Sequence, residues 1–344
     1  MKIRLTGHAL LLSGFLGLLA ADADAARLAP RVAIRVQPVA PRMHLPADPH
    51  PHALVRAKLG KGLALRLTAQ PSTQLGRFVS ALGKAAGAKI NAPRPATPEG
   101  QYGVVPGAKA FVDGVNLEDV QQGHLADCFF VASLASVAYT HPALLQKAIK
   151  EQADGSLSIA LYHRTNVGAF ERDSVTVDKL VPLSGTGRPQ FARGKVATQL
   201  WPAWMQKAYT AQVDTLDGTT KGYGAINNGG TPGDAFEALT GKPSRTIAVA
   251  PQMADSLYAA IATAAKANRP IAAVTPKTLP EGAPVHEWHT YSVLGVREEN
   301  GQKLVKVRNP WGYSEPGDPN GGDGIFEIDI ATFAKSFNSL AIGG

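Results

Sequence analysis

A single cysteine, Cys128, occurs in the 344 residues. It cannot form a disulfide within the chain, so it is a spare buried thiol, an intermolecular link or a reacting group. Its surroundings are Gln122-Gly123-His124-Leu125-Ala126-Asp127-Cys128-Phe129-Phe130. A thiol becomes a nucleophile when its thiolate is stabilised. The start of a helix does this, through unpaired N–H groups and the helix dipole. The thiolate then needs an imidazole, the imidazole an orienting acceptor, and the developing oxyanion a set of donors. Gln122 lies six residues upstream, where a turn brings its amide beside the thiol and the cysteine's own N–H. His289 opens the run Thr290–Val296, and Asn309 closes the run Lys303–Arg308. These residue types point to covalent acyl transfer through a cysteine.

Positioning them requires particular elements. The apolar, small-residue stretch Phe129–Thr140, stopped by His141-Pro142, predicts a buried helix beginning at or beside Cys128. The runs Thr290–Val296 and Lys303–Arg308 predict two antiparallel strands whose hairpin returns His289 and Asn309 to one end. The dipeptide Asn300-Gly301 suggests a two-residue turn, which pairs Asn309 with Ser292. A loop of about five residues centred on Glu299 sets His289 directly opposite Asn309, and the chemistry favours this second arrangement. Strands are also expected at Leu157–His163, Ser174–Leu180 and Gly324–Ile328, with helices at Thr198–Thr210 and Ala254–Ala267. The fold class expected is α+β, a helical subdomain carrying the cysteine and an antiparallel β subdomain carrying His289 and Asn309. Trp201 and Trp204 read as core. His286 competes with His289 but lies outside the strand-opening position. The run His286-Glu287-Trp288-His289 is one residue short of a zinc-protease pattern and is not helical. His124 reads as a surface residue that could tune the thiol.

The chain opens with Lys2 and Arg4, the apolar run Ala9–Ala20 and the small residues Ala23 and Ala25. Residues 1–25 read as a signal peptide, so the expectation is a secreted or periplasmic protein, soluble after leader cleavage. Residues 26–105 carry twelve Lys and Arg against Asp48 and Glu99, which accounts for the net charge of +8. This basic Pro/Ala-rich segment reads as a propeptide or linker able to contact anionic surfaces. Its Pro- and His-rich part, 26–52, should be extended or disordered, with a weak helix over Gln74–Ala88 and a second linker over 91–98. Phe78 and Tyr102 are its only aromatic residues, so it lacks the stacking platform of a nucleic-acid binder. Residues 106–344 are near neutral and have the pattern of a packed globule. No later segment reaches membrane length.

Four ordered stretches carry a family resemblance. Gln122–Cys128, Trp288–Val293 and Asn309-Pro310-Trp311-Gly312 are similar to the cysteine, histidine and asparagine boxes of the calpain-type cysteine protease core, a papain-like fold. Leu200–Tyr209, followed by Gly229–Phe236, resembles that family's interior helix and the segment after it. The resemblance covers roughly residues 106–340 and implies a catalytic domain over 106–344, without C-terminal regulatory domains. It implies an endopeptidase acting on a protein or peptide substrate. Cys128 would be the nucleophile, His289 the general base and acid, Asn309 the orienting residue and Gln122 an oxyanion donor. Trp311 would shield the His–Asn bond, and Asp127 would support the cysteine box. Ala126 and Phe129 depart from the usual Gly and Trp. Calcium is the one candidate cofactor, with Val112, Gly114 and Asp119 in one loop and Glu315 and Asp323 in another at family-like positions. Gln206 and Ile325 stand where the family usually has Glu, which weakens both sets, because Ca²⁺ is held by oxygen ligands in number. Two other functions stay open: acyl transfer to an amine, as in transglutaminase-like chemistry, and a catalytically silent peptide-binding or host-interaction module.

Overall fold

The helix opened by Cys128, α1 (Cys128–Thr140), has no polar face: every residue from Phe129 to Ala138 is buried. A helix apolar all round must be enclosed on all sides. The computed structural model describes residues 33–36, 53–59, 63–69, 89–91, 94–313 and 322–344. These fall into two units, 1–74 and 75–344. In the first unit, β1 (Ala33–Val36), β2 (Ala53–Leu59) and β3 (Leu63–Ala69) form an antiparallel sheet in that order, within the segment that composition assigns to propeptide or linker. Residues 1–25, expected to be a signal peptide, and the helix expected over 74–88 lie outside the described residues.

In the second unit α1 is part of the first of two hydrophobic cores and lies against the sheet that carries the second. In the first core, β4 (Lys89–Asn91) runs parallel to β8 (Phe170–Val177), in a sheet completed by β7 (Leu157–Arg164) and β6 (Ile149–Glu151). A two-stranded sheet joins β5 (Gln101–Gly103) to β9 (Val181–Leu183). Strands β4 and β5 therefore belong to the second unit although they precede residue 105. The helices α2 (Pro142–Ala148), α3 (Trp201–Asp217) and α4 (Pro232–Thr240) complete this half. Trp201 and Trp204 are buried on α3, and Phe130 of α1 stacks on Tyr209 of α3 with ring centroids 4.3 Å apart. The half that carries the cysteine is thus helix and sheet together, and the chain is α+β as expected.

The second core lies on a six-stranded antiparallel sheet ordered β10 (Arg245–Ala248), β15 (Ser339–Ile342), β11 (Ile271–Val274), β12 (Thr290–Glu299), β13 (Gln302–Arg308), β14 (Ile325–Asp329). The helices α5 (Ala254–Lys266) and α6 (Ile330–Ser336) cover one face. Strand alternation sends Ile271, Ala273, Leu340 and Ile342 into that core, and the small Ala272 and Ala341 into the first core. The small residues leave room for α1 on the other face. There Ser136 Oγ donates to the Ile271 carbonyl at 2.7 Å, and Ser292 Oγ donates to the Ala132 carbonyl at 2.8 Å. Among the described residues no single helix is long and apolar enough to cross a membrane.

The hairpin differs from the one expected. Glu299 pairs with Gln302, so the turn is the two-residue Asn300-Gly301, both at positive φ (50° and 77°), and not a loop of about five residues. The three-residue gap between the two expected arrangements is narrowed by one residue inside the ladder. The register slips between Val293 and Gly295, leaving Leu294 as a bulge, with Gly295 at φ 143°. Below the bulge Ser292 faces Arg308, so the next pair sets Asn309 across from Tyr291. Tyr291 and His289 lie two residues apart and share a face, their rings 5.1 Å apart edge to face. Without the bulge Asn309 would face Ser292, on the side turned toward α1.

Candidate active site

Cys128 is the first residue of α1, and Asp127 precedes it as the N-cap without a side-chain capping bond. The thiol donates to Thr290 Oγ1 at 3.7 Å. Burial pushes its pKa up, the Thr290 hydroxyl opposes that shift, and the neighbouring Asp127 adds to it. The resting group is therefore a thiol.

His289 is 6% exposed and its backbone is held on both sides by Thr275. His289 N–H donates to Thr275 Oγ1 at 2.9 Å, and Thr275 N–H donates to the His289 carbonyl at 2.9 Å. The preceding Trp288 sits at φ 47° with 55% of its surface exposed, a left-handed conformation unusual for so bulky a residue. His289 Nε2 lies 2.9 Å from Asn309 Oδ1, and the backbone N–H of Trp311 donates to the same oxygen at 3.0 Å. Two donors converging on one atom require it to be the amide oxygen, and they assign the imidazole proton to Nε2. The Trp311 ring lies 4.7 Å from that of His289. Burial lowers the His289 pKa to about 4, against the Asn309 bond that raises it, and His286 lowers it further. The neutral imidazole can therefore accept a proton at neutral pH.

Gln122 is buried between these segments. Its backbone N–H donates to the Pro310 carbonyl at 2.8 Å, and its Nε2 donates to the Leu125 carbonyl at 2.6 Å. One N–H of the amide remains for an oxyanion, while Oε1 is buried without a partner, a cost of about 1–3 kcal/mol. Gly123 is required by close approach, since a Cβ there would lie 2.3 Å from the Gln190 carbonyl oxygen. Asp127 points away from the thiol into the first core, where its Oδ2 accepts 2.6 Å from Gln206 Nε2 and its Oδ1 has no partner. Burial raises its pKa to about 7. Phe129 packs in the core against Tyr209, and Ala126 is tied through its N–H to Asn227 Oδ1 at 2.8 Å. His124 is exposed beside Gln190 and Glu99, on the surface. His286 stands 4.4 Å from the Trp311 ring and 6.2 Å from that of His289. Sequence reasoning did not single out Thr290 and Thr275. Nothing local marks them, because each acts through the strand beside it.

The residues match a known family across most of the chain. Residues 100–318 fit the model of the calpain family cysteine proteases. The chain belongs to that family. Rat (Rattus norvegicus) Calpain-13 is 27% identical over 213 residues, which cover 59% of this chain and 30% of that protein. Calpain-8 of the same organism is 27% identical over 277 residues, 69% of this chain and 37% of its own. The Calpain-type cysteine protease ADL1 of Oryza sativa subsp. japonica is 29% identical over 217 residues, 58% of this chain and 9% of its own. The chain thus spans little more than a third of the longest-matched of these relatives.

The described residues give the calcium candidates no side-chain cluster. No three His, Cys, Asp or Glu side chains among them come together to hold an ion. At the first candidate loop, Asp119 Oδ2 accepts the Asn116 N–H at 2.8 Å, and the nearby Gln199 Oε1 accepts the Val112 N–H at 3.0 Å. Gln206, on α3, is spent on Asp127 and on the Ala192 N–H. At the second, Asp323 Oδ1 accepts the Ile325 N–H at 2.9 Å, and Glu315 lies outside the described residues. A Cβ added at Gly114 would meet no atom within 4 Å beyond its chain neighbours.

Proposed function

We propose that the chain is an exported thiol endopeptidase working through Cys128, His289 and Asn309. The observation that carries this reading is the His289–Asn309 bond at 2.9 Å beside Thr290, whose hydroxyl meets the Cys128 thiol. With the imidazole proton on Nε2, Nδ1 is the basic nitrogen left for the thiol. His289 takes the Cys128 proton as sulfur attacks the scissile carbonyl carbon. The Gln122 side-chain N–H and the Cys128 backbone N–H receive the oxyanion. Collapse breaks the C–N bond, the proton passes from His289 to the leaving amine, and a thioester remains. Water, deprotonated by His289, then releases the acid and restores the thiol. Export rests on the leader-like residues Lys2, Arg4 and Ala9–Ala20. Cys128→Ala should abolish cleavage of a labelled unfolded protein while leaving circular dichroism unchanged. Undiminished turnover in that variant would end the reading.

A further inference from the structure

Arg308 is 1% exposed, and two of its guanidinium nitrogens, Nε and Nη1, are buried without an acceptor. Spare buried donors on a cation are unfavourable, and an apolar side chain of similar volume would fill the space without them. The third nitrogen suggests why arginine stands here. Nη2 donates 2.8 Å to the carbonyl of Val120, just before Gln121 and Gln122. In the reverse direction, Gln122 N–H donates 2.8 Å to the carbonyl of Pro310. The segment with Asn309 and the segment with Gln122 are therefore joined at two points, one on each side of Asn309.

The surroundings support the tie. Ladder pairing places Arg308 beside Ser292 on β12, and Ser292 and Thr290 both reach α1, at Ala132 and Cys128. One sheet face thus carries three residues, on two neighbouring strands, that touch the half holding the nucleophile. Gly312, at φ 71°, keeps the space open: a Cβ there would stand 3.1 Å from Arg308 Nη2 and 2.9 Å from Gln121 Cγ. Burial lowers the Arg308 pKa to about 10, so it stays charged at neutral pH, and Asp323, Glu118 and Asp119 favour that charge. Asp323 precedes β14, whereas Glu118 and Asp119 belong to the short 3-10 turn Leu117–Asp119 on the side of the first core. None of the three carboxylates hydrogen-bonds the guanidinium.

We propose that Arg308 is a positioning residue for the reaction: its fixed charge and its bond to Val120 hold the Gln122 segment against the Asn309 segment, so that the oxyanion donor and the imidazole act on one carbonyl. The proposal rests on the thiol-protease reading. It does not depend on calcium.

The test uses the full chain, a labelled unfolded protein as substrate, and the variants Arg308→Met, Arg308→Lys and Gln122→Ala. Arg308→Met should lower kcat by roughly 100-fold with KM changed by less than about threefold. Arg308→Lys, which keeps the charge but not the fork, should recover part of the loss. The double variant Arg308→Met/Gln122→Ala should be no slower than the slower single variant, because both remove the same positioned donor. A wild-type kcat in Arg308→Met, or losses that multiply in the double variant, would overturn the proposal. If Arg308→Met does not fold, the same kcat and double-variant comparisons made with Arg308→Lys decide it. A wild-type chain that cleaves nothing defeats the protease reading, whereas a cleaving chain indifferent to both Arg308 variants defeats this proposal alone.

Discussion

Acidification from pH 7 to pH 5 should act on His289 and Asp127 with opposite signs, and substitution should separate the two. His289 titrates near 6.5 when unfolded and at about 4 when folded. Between those values the unfolded chain binds the proton and the folded chain does not, so stability is lost as the pH falls through that window. Asp127 titrates near 3.8 when unfolded and at about 7 when folded. Here the folded chain binds the proton first, so stability is gained as the pH falls from 7 toward 4. Both groups are buried, so solvent screening takes little from either shift. Linkage gives about 2 kcal/mol lost through His289 and about 2 kcal/mol gained through Asp127 over this interval. Urea unfolding of the full chain, followed by tryptophan fluorescence at both pH values, measures the balance. Relative to wild type, His289→Gln should gain about 2 kcal/mol on acidification, and Asp127→Asn should lose about as much. The physical account fails if both variants follow the wild-type pH dependence, for then neither burial shifts a proton.

Asn309→Ala removes the acceptor shared by His289 and Trp311, and should lower kcat/KM about 100-fold. Steady-state kinetics checks this, and a loss confined to KM would contradict the orienting role. Chelation by EDTA should leave the melting temperature unchanged, since Asp119 Oδ2 in the first candidate loop already accepts a protein N–H. Stabilisation by added Ca²⁺ would show that a cage forms. Removing residues 1–74 should leave the unfolding of the second unit intact. Removing 1–105 should destabilise it by roughly 3 kcal/mol or more, because it deletes Ile90 and Tyr102 and exposes the apolar surface of the first core that they cover. It also deletes the Arg94–Asp178 ion pair. Equal denaturation midpoints for the two truncations would refute this.

The helix at Cys128 was legible because the apolar and small residues of Phe129–Thr140 follow one another up to His141-Pro142, the pattern of an enclosed helix. The strands before and after Asn300-Gly301 were legible for similar local reasons, and the dipeptide itself signalled the two-residue turn that the expected five-residue loop set aside. Their register was not. A bulge at Leu294 costs nothing that a neighbour in sequence can reveal, since it is selected by packing against the sheet on one side and α1 on the other. The front segment misled by composition: its charge and prolines read as linker, while β4 and β5 find partners far along the chain. Such pairing has no local signature.

Residue chemistry by itself therefore singled out the candidate reacting groups: one thiol, an imidazole, an amide to orient it and an amide donor, in an order that admits acyl transfer. Only tertiary structure decided their states and geometry. It turns Asn309 to the face of His289, brings Thr290 to the thiol, keeps the imidazole neutral, and places Arg308 beneath the loop that follows it. The physical reason is that a residue type fixes which proton or bond is available, whereas burial and long-range pairing set its energy and direction.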